Sequence, residues 1–132
     1  MVANNRPLSP HLQVYRWGLH MALSILHRVT GSALGLGTLV LAWWLMAIAA
    51  GPAYYGQFQD FILHPFGRLV LFGLSYALIF HLLNGIRHLY WDMGLGLEVK
   101  SVQRSGQGVV ALSLVLTIAV WVGGYYAAGR LG

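Results

Sequence analysis

The apolar residues of this chain fall into three long runs that are separated by short polar segments. No Asp, Glu, Lys or Arg occurs in residues 29–59, 69–86 or 105–129. A helix needs about 20 mostly apolar residues to cross a bilayer core of about 30 Å. The first and third runs reach that length, and the second reaches it if the helix continues toward Trp91. The pattern therefore predicts three transmembrane helices.

The residues that flank these runs set the predicted boundaries. The first helix is predicted at 19–50, where Gly51 and Pro52 end it. The second is predicted at 65–91 and the third at 108–128. Two polar segments between them are interpreted as loops, one carrying Tyr54, Tyr55 and Asp60 and the other Glu98, Lys100 and Arg104.

A polar arm precedes the first predicted helix. It contains Pro7 and Pro10, and each proline biases the residue before it away from the helical region. We therefore divide the chain into an N-terminal arm at 1–18 and a three-helix transmembrane domain at 19–132. The fold class that follows is all-α, an integral membrane protein.

The composition supports a membrane protein and excludes several kinds of site. The chain is 58% hydrophobic and 8% charged, whereas soluble domains carry about 25% charged residues. Its net charge of +5 sits at helix ends and does not indicate nucleic-acid binding. It has no cysteine, so disulfides, iron–sulfur clusters, thiolate metal sites and covalent haem attachment are excluded within the chain.

The basic residues predict the orientation of the chain in the membrane. Most lie before or early in the first helix, or around the segment between the second and third helices: Arg6, Arg16, Arg28, Arg87, Lys100 and Arg104. The opposite side has Arg68 and Arg130. Because basic residues are retained in the cytoplasm, the N-terminus is predicted to be cytoplasmic in a multi-pass protein of the inner membrane.

One face of the second helix carries residues that suit a haem. His81, Gly85, His88 and Asp92 follow at spacings of four, three and four and so share a stripe. His81 lies roughly 10 Å deeper than His88. A neutral imidazole there suits an axial ligand of haem iron, and Gly85 would clear space for the porphyrin.

Near the polar end of the same helix, His88 and Arg87 could meet the haem propionates. The alternatives are a polar helix–helix contact for His81 and an interfacial position for His88.

The first helix carries a second polar stripe, formed by Ser24, His27, Arg28 and Gly31. An arginine inside an apolar segment needs a counter-charge or a polar cavity. A haem carboxylate or a quinone carbonyl would supply it, and Ser24 could donate a hydrogen bond to the same carbonyl. Alternatively, Arg28 extends to the interface and binds lipid phosphate. Gly31 and Gly35 form a G-x-x-x-G motif that would permit close helix approach.

Three segments carry a resemblance to a known family. RPLSPHLQVY at 6–15, SILHRVTG at 24–31 and HLLNGIRHLYWDMG at 81–94 resemble the cytochrome b subunit of succinate dehydrogenase from mitochondria and related bacteria. The likeness covers nearly the whole chain in order, although the third helix is similar only in being apolar.

The resemblance implies roles for particular residues. His81 matches the axial ligand of the family's haem b, and His27, Arg28 and His88 match groups near its propionates. Ser24, Ile25 and Arg28 match residues that bind ubiquinone. The second axial histidine, with a tyrosine and an aspartate near the quinone, would come from another anchor subunit, and a tryptophan and a histidine from the iron–sulfur subunit.

The resemblance also implies the activity and the partners. The chain would be the membrane anchor of a succinate:quinone oxidoreductase, with no complete active site and no catalytic residue of its own. One haem b would be shared with the second anchor, ubiquinone would be the substrate, and the flavoprotein and membrane lipid would be further partners. Two alternatives remain open: a transmembrane electron conduit of cytochrome b type and a cofactor-free structural anchor.

Overall fold

The computed structural model describes residues 17–129, and this part of the chain is helical. Its elements are α1 (Leu19–Ala50), α2 (Pro52–Leu63), α3 (Pro65–Asp92) and α4 (Val99–Ala127). The helices α1, α3 and α4 are long and apolar enough to cross a membrane. The prediction of an all-α protein with three membrane-spanning helices is confirmed. Most of the arm predicted at 1–18 lies outside the described residues.

The predicted loop with Tyr54, Tyr55 and Asp60 is wrong, because these residues belong to α2. Gly51 turns the chain with a φ of 99°, and Pro52 follows at the start of the helix. Proline suits that position because its fixed φ is helical and its missing N–H would have no partner there. Phe58 is buried, and its ring meets Trp43 of α1 edge-on with 5.0 Å between centroids.

Helix α4 begins nine residues earlier than predicted, at Val99 instead of 108. The segment with Lys100 and Arg104 is therefore helical and not a loop. A membrane helix can continue past its apolar run wherever its polar side chains reach the interface. The hydropathy pattern marks the lipid-embedded part of a helix and not the helix itself.

The end of α3 was predicted correctly to within one residue, and its geometry explains why. Gly94 adopts a left-handed conformation with a φ of 77°. Its N–H bonds to the Trp91 carbonyl, and the N–H of Leu95 bonds to the Tyr90 carbonyl. This is the Schellman arrangement, in which glycine tolerates the backbone conformation that satisfies the last carbonyls of the helix.

The three long helices pack in an up-down-up order. Thr30 of α1 contacts His81 of α3, and Gly37 faces Leu74, so α1 and α3 run antiparallel. Arg87 of α3 bonds to Ser105 of α4. The start of α1, the end of α3 and the start of α4 therefore lie together, and we call this the histidine end. The opposite end, which carries α2, is the α2 end.

The interior of the bundle is narrow and partly polar. Leu23, Phe80 and Val109 form its apolar cluster. Among the described residues, five further buried side chains are polar, namely Thr30, Asn84, Arg87, Ser113 and Thr117. Ser113 and Thr117 donate to carbonyls of their own helix, so they satisfy their hydroxyls inside the membrane. Small polar residues are typical of membrane helix interfaces because they allow close approach of the backbones.

Candidate functional site

Three histidines from the two predicted stripes form a stack near the histidine end. The His27 ring lies between the other two, with its centroid 3.9 Å from that of His81 and 5.1 Å from that of His88. The interplanar angles are 6° and 17°. Folding therefore joins the stripe on α1 to the stripe on α3 in one polar site between the helices.

The hydrogen bonds of His81 fix its tautomer. Its Nδ1 lies 3.1 Å from the His27 carbonyl oxygen and 3.3 Å from Thr30 Oγ1. The Thr30 hydroxyl donates to the same carbonyl. Because a carbonyl only accepts, Nδ1 of His81 carries the proton, and Nε2 keeps its lone pair. A carbonyl that holds the second nitrogen in this way is typical of metal-ligating histidines.

Two glycines lie against the stacked rings, and one of them makes room for a ring. A Cβ on Gly31 would lie 3.0 Å from Cε1 of His81, so any side chain there would displace the imidazole. A Cβ on Gly85 would lie 3.9 Å from Cε1 of His27, which is ordinary contact. The space for an added side chain is therefore smaller at Gly31 than at Gly85. At Gly35, a Cβ would meet no other described atom within 4 Å, so the close approach predicted for the G-x-x-x-G motif occurs at Gly31 only.

His88 shares the tautomer of His81 but not its surroundings. Its Nδ1 donates to the Asn84 carbonyl, one turn back in α3, at 2.7 Å. Its ring meets Trp91 edge-on with 5.2 Å between centroids. The proton position therefore does not distinguish the two histidines. They differ in depth, since His88 lies two turns closer to the end of the helix.

Two buried polar atoms in this cluster lack a hydrogen-bond partner among the described residues. They are Nδ1 of His27 and Nδ2 of Asn84. An unsatisfied buried donor or acceptor costs about 1–3 kcal/mol. Such atoms occur where a group from outside the chain, such as a ligand, a water or another subunit, completes the site.

Arg87, considered above as a partner of haem propionates, instead points its guanidinium into α4. Its Nε donates to Ser105 Oγ at 2.9 Å, and Nη2 donates to the Val102 carbonyl at 2.7 Å. Nη1 donates to Asn84 Oδ1 at 3.2 Å. The guanidinium also lies 4.0 Å from the ring centroid of Trp91. Sequence reasoning missed this role because the spacing along α3 gives no information about α4.

A cavity of about 370 Å³ adjoins the stack at the histidine end. Its lining includes Ser24, His88 and Trp91. Ser24 is half-buried, whereas Ile25 and Arg28 are exposed. The three residues expected at a quinone are therefore split between an inward cavity and the outer surface of α1. A ligand that touched all three would lie at the edge of this chain.

The donor set fits a haem better than a metal held by the protein alone. Within residues 17–129, no group of three or more His, Asp or Glu side chains is placed to hold a metal ion. A single neutral imidazole in an apolar helix pair, beside unsatisfied polar atoms, is the ligand that an iron porphyrin requires from one subunit. The stack can therefore supply one axial nitrogen, His81 Nε2, and polar neighbours for carboxylates.

Comparisons with a family model and with known proteins identify the same family of membrane subunits. Residues 2–120 match the family model described as "Succinate dehydrogenase/Fumarate reductase transmembrane subunit". The chain is 42% identical over 121 residues to a succinate dehydrogenase cytochrome b556 subunit of Rickettsia felis, covering 92% of this chain and 94% of the relative. It is 43% identical over 114 residues to that of Paracoccus denitrificans, covering 86% and 88%. A mitochondrial cytochrome b560 subunit of Mus musculus is 40% identical over 121 residues, covering 86% and 68%.

Proposed function

The chain belongs to the succinate dehydrogenase/fumarate reductase transmembrane subunit family, and from this premise we propose that it holds haem b and ubiquinone in the membrane anchor of a succinate dehydrogenase. Succinate would be oxidised on the flavoprotein outside the membrane, and electrons would pass through the iron–sulfur subunit to the quinone. This chain would contribute binding groups to a site that other subunits complete.

The observation that carries the proposal is the hydrogen bond between Nδ1 of His81 and the His27 carbonyl. It fixes the ring orientation and leaves Nε2 as a nitrogen donor for iron. The haem would be shared with a second anchor subunit and would supply a one-electron carrier. Its carboxylates would be neighbours of His27, Arg28 and His88, and the buried Nδ1 of His27 is free to meet one of them.

Ser24, Ile25 and Arg28 are the proposed quinone-binding residues of α1, and a quinone that touched all three would lie at the edge of this chain. Ser24 lines the cavity at the histidine end and can donate a hydrogen bond to a quinone oxygen. Arg28 lies one turn further along α1, on its exposed side, and its guanidinium makes no hydrogen bond or ion pair with any other residue of 17–129. Its guanidinium would stabilise negative charge that develops on the quinone oxygen during reduction.

The position of the histidines favours one haem over a transmembrane relay. A conduit that stacks two haems across the bilayer needs histidines in both halves. Here His27, His81 and His88 lie together toward one end, and α4 contains no histidine. A cofactor-free anchor would leave the fixed tautomer of His81 and the buried Nδ1 of His27 unexplained.

The remaining assignments concern the assembly as a whole. We place the histidine end and the arm at 1–18 toward the cytoplasm, next to the iron–sulfur subunit, and we treat 19–132 as one membrane domain in the inner membrane. Ile25 and Val29 on α1 are about half exposed within the isolated chain, which fits contact with another anchor helix.

Arg28→Ala tests the quinone assignment. In the assembled complex, we expect it to lower succinate:ubiquinone reductase activity by about a hundredfold and to leave succinate oxidation by a soluble artificial acceptor unchanged. Arg104→Ala is the matched control, because Arg104 is also an exposed arginine at the histidine end. Equal loss of both activities in the Arg28 variant would indicate an assembly defect and contradict the assignment.

A further inference from the structure

A second cavity lies at the α2 end, far from the histidines. It has a volume of about 460 Å³ and runs between the first turns of α3 and the last turns of α4. We call it the α2-end groove, and the lining residues used below are Arg68, Leu71, Val120, Trp121, Gly124 and Tyr125. Nothing in the proposed haem and quinone function uses these residues.

The walls of the groove are apolar and ordered. Leu71 and Val120 face it from the two helices. Trp121 is held in place because its Nε1 donates to Ser75 Oγ at 3.2 Å and its ring meets Phe72 edge-on at 5.4 Å. A Cβ on Gly124 would meet no other described atom within 4 Å, so the groove is open at that point. These walls suit a hydrocarbon chain lying along the helices.

One end of the groove is cationic. Arg68 is exposed, and its guanidinium makes no hydrogen bond or ion pair with the other described residues. It lies one turn after His64, which caps the start of α3, where the helix dipole adds further positive potential. Asp60 is the acid that the chain places at this end, and it forms no ion pair with Arg68. Within residues 17–129, the charge of Arg68 therefore lacks a counter-ion.

Tyr125 provides a second donor at the same level. It is half-buried beside Trp121, with 5.9 Å between ring centroids, and its hydroxyl has no partner within residues 17–129. Arg68 is three residues from the first residue of α3, and Tyr125 is two residues from the last residue of α4. Both therefore lie at the depth of the lipid headgroups, where tyrosine and arginine are favoured.

We propose that the α2-end groove is a binding site for an anionic phospholipid, whose phosphodiester is held by Arg68 and Tyr125 and whose acyl chain lies against Leu71, Val120 and Gly124. A guanidinium and a phenol match the oxygens of a phosphodiester. An anionic lipid brings its phosphate and its hydrocarbon in the order in which the groove presents its cationic end and its apolar walls.

The test uses the purified complex, stripped of lipid in detergent and titrated with phosphatidylglycerol while bound lipid is counted by native mass spectrometry. Arg68→Gln should weaken the tightest binding event by about tenfold or more, and Arg104→Gln should not. Gly124→Leu should also weaken it, because the new side chain fills the groove without a clash. Gly123→Leu is its matched control, since that position is equally open and does not line the groove.

Further arms separate the lipid from other occupants. Phosphatidylcholine should bind more weakly than phosphatidylglycerol, and inorganic phosphate should not displace the lipid. A photoactivatable phosphatidylglycerol should label peptides of α3 and α4, and this labelling should fall in the Arg68 and Gly124 variants. Succinate oxidation with a soluble acceptor confirms that each variant assembles.

Three results would overturn the proposal. The first is unchanged lipid affinity in Arg68→Gln or Gly124→Leu. The second is displacement by inorganic phosphate, which would indicate a site for soluble anions. The third is cross-linking of a groove residue to a partner subunit in place of lipid.

Discussion

His81 and His88 have the same proton position but different surroundings, and the roles that we propose for them differ for that reason. Both donate through Nδ1 to a backbone carbonyl, of His27 in one case and of Asn84 in the other. His81 lies two turns deeper between α1 and α3, whereas His88 is beside Trp91 near the end of α3. A ligand nitrogen for iron needs the deeper position, away from water.

Replacement of each histidine by leucine should separate these roles. His81→Leu removes the proposed axial ligand, so we expect loss of the haem or a five-coordinate, high-spin haem. His88→Leu should retain a low-spin haem with two axial ligands. A reduced-minus-oxidised spectrum and an electron paramagnetic resonance spectrum of the purified complex measure both. A low-spin spectrum that is unchanged in His81→Leu would contradict the ligand assignment.

Gly31 and Gly35 provide a matched pair for the space around His81. A leucine at 31 must displace the imidazole, because even a Cβ would lie 3.0 Å from Cε1. A leucine at 35 meets no described atom within 4 Å at its Cβ. We therefore expect Gly31→Leu to lower the haem content of the complex severalfold while Gly35→Leu keeps it. The haem-to-flavin ratio is the measurement, and equal ratios in the two variants would refute the role of Gly31.

At the scale of the helices, Arg87 joins α3 to α4. Its guanidinium bonds to Ser105, to the Val102 carbonyl and to Asn84, and it is only 6% exposed. A Cβ on Gly106 would lie 2.7 Å from Leu23 Cδ1 and 3.4 Å from Arg87 Nη2, so this glycine of α4 makes room mainly for Leu23 of α1. The polar start of α4 is therefore held to the bundle by hydrogen bonds as well as by apolar contact.

Arg87→Leu should weaken the packing of α4 against α3. It removes three hydrogen bonds of the guanidinium and leaves Asn84 Oδ1 unpaired, although Ser105 still donates to the Val102 carbonyl. We expect a cost of about 2–4 kcal/mol in the free energy of unfolding. We expect a lower thermal dissociation temperature and faster proteolysis between α3 and α4. Arg104→Leu is the control, because Arg104 is exposed near the same point. Equal stability of the two variants would show that the hydrogen bonds contribute little.

At the scale of the whole molecule, the up-down-up order has a consequence for topology. It places the start of α1 and the segment between α3 and α4 at the histidine end, and α2 at the other end. Six of the eight basic residues belong to the histidine end by their position in the chain. That asymmetry predicts that the histidine end faces the cytoplasm.

Cysteine labelling can test this orientation cleanly, because the chain contains no cysteine. Arg104→Cys at the histidine end should react with a membrane-impermeant maleimide in inside-out vesicles. Gln59→Cys, on the exposed side of α2, should react in intact spheroplasts. Each variant should be protected in the other preparation. The reverse pattern would invert the topology and move the proposed quinone site to the other face of the membrane.

Helix α2 was not predicted, because the hydropathy pattern does not indicate short helices that lie outside the membrane-spanning runs. Gly51 and Pro52 were interpreted as the start of a loop, although proline is also favoured at the first position of a helix. With 12 residues, α2 is too short to produce a membrane-spanning run. Phe58 and Trp43 indicate their pairing only after the chain has turned at Gly51. The early start of α4 was missed because hydropathy reports lipid exposure and not backbone conformation.

The sequence by itself determined the three membrane-spanning helices, because lipid demands long apolar runs and those are visible in one dimension. It also determined which faces of α1 and α3 carry polar residues, because helical periodicity fixes the neighbours of Ser24, Arg28 and His81 within their own helix. Only the tertiary structure decided the contacts between helices. It placed His27 against His81, gave Gly31 its role in clearing that ring, and directed Arg87 into α4. Such contacts depend on the relative register and rotation of packed helices, which residue spacing within a single helix does not encode.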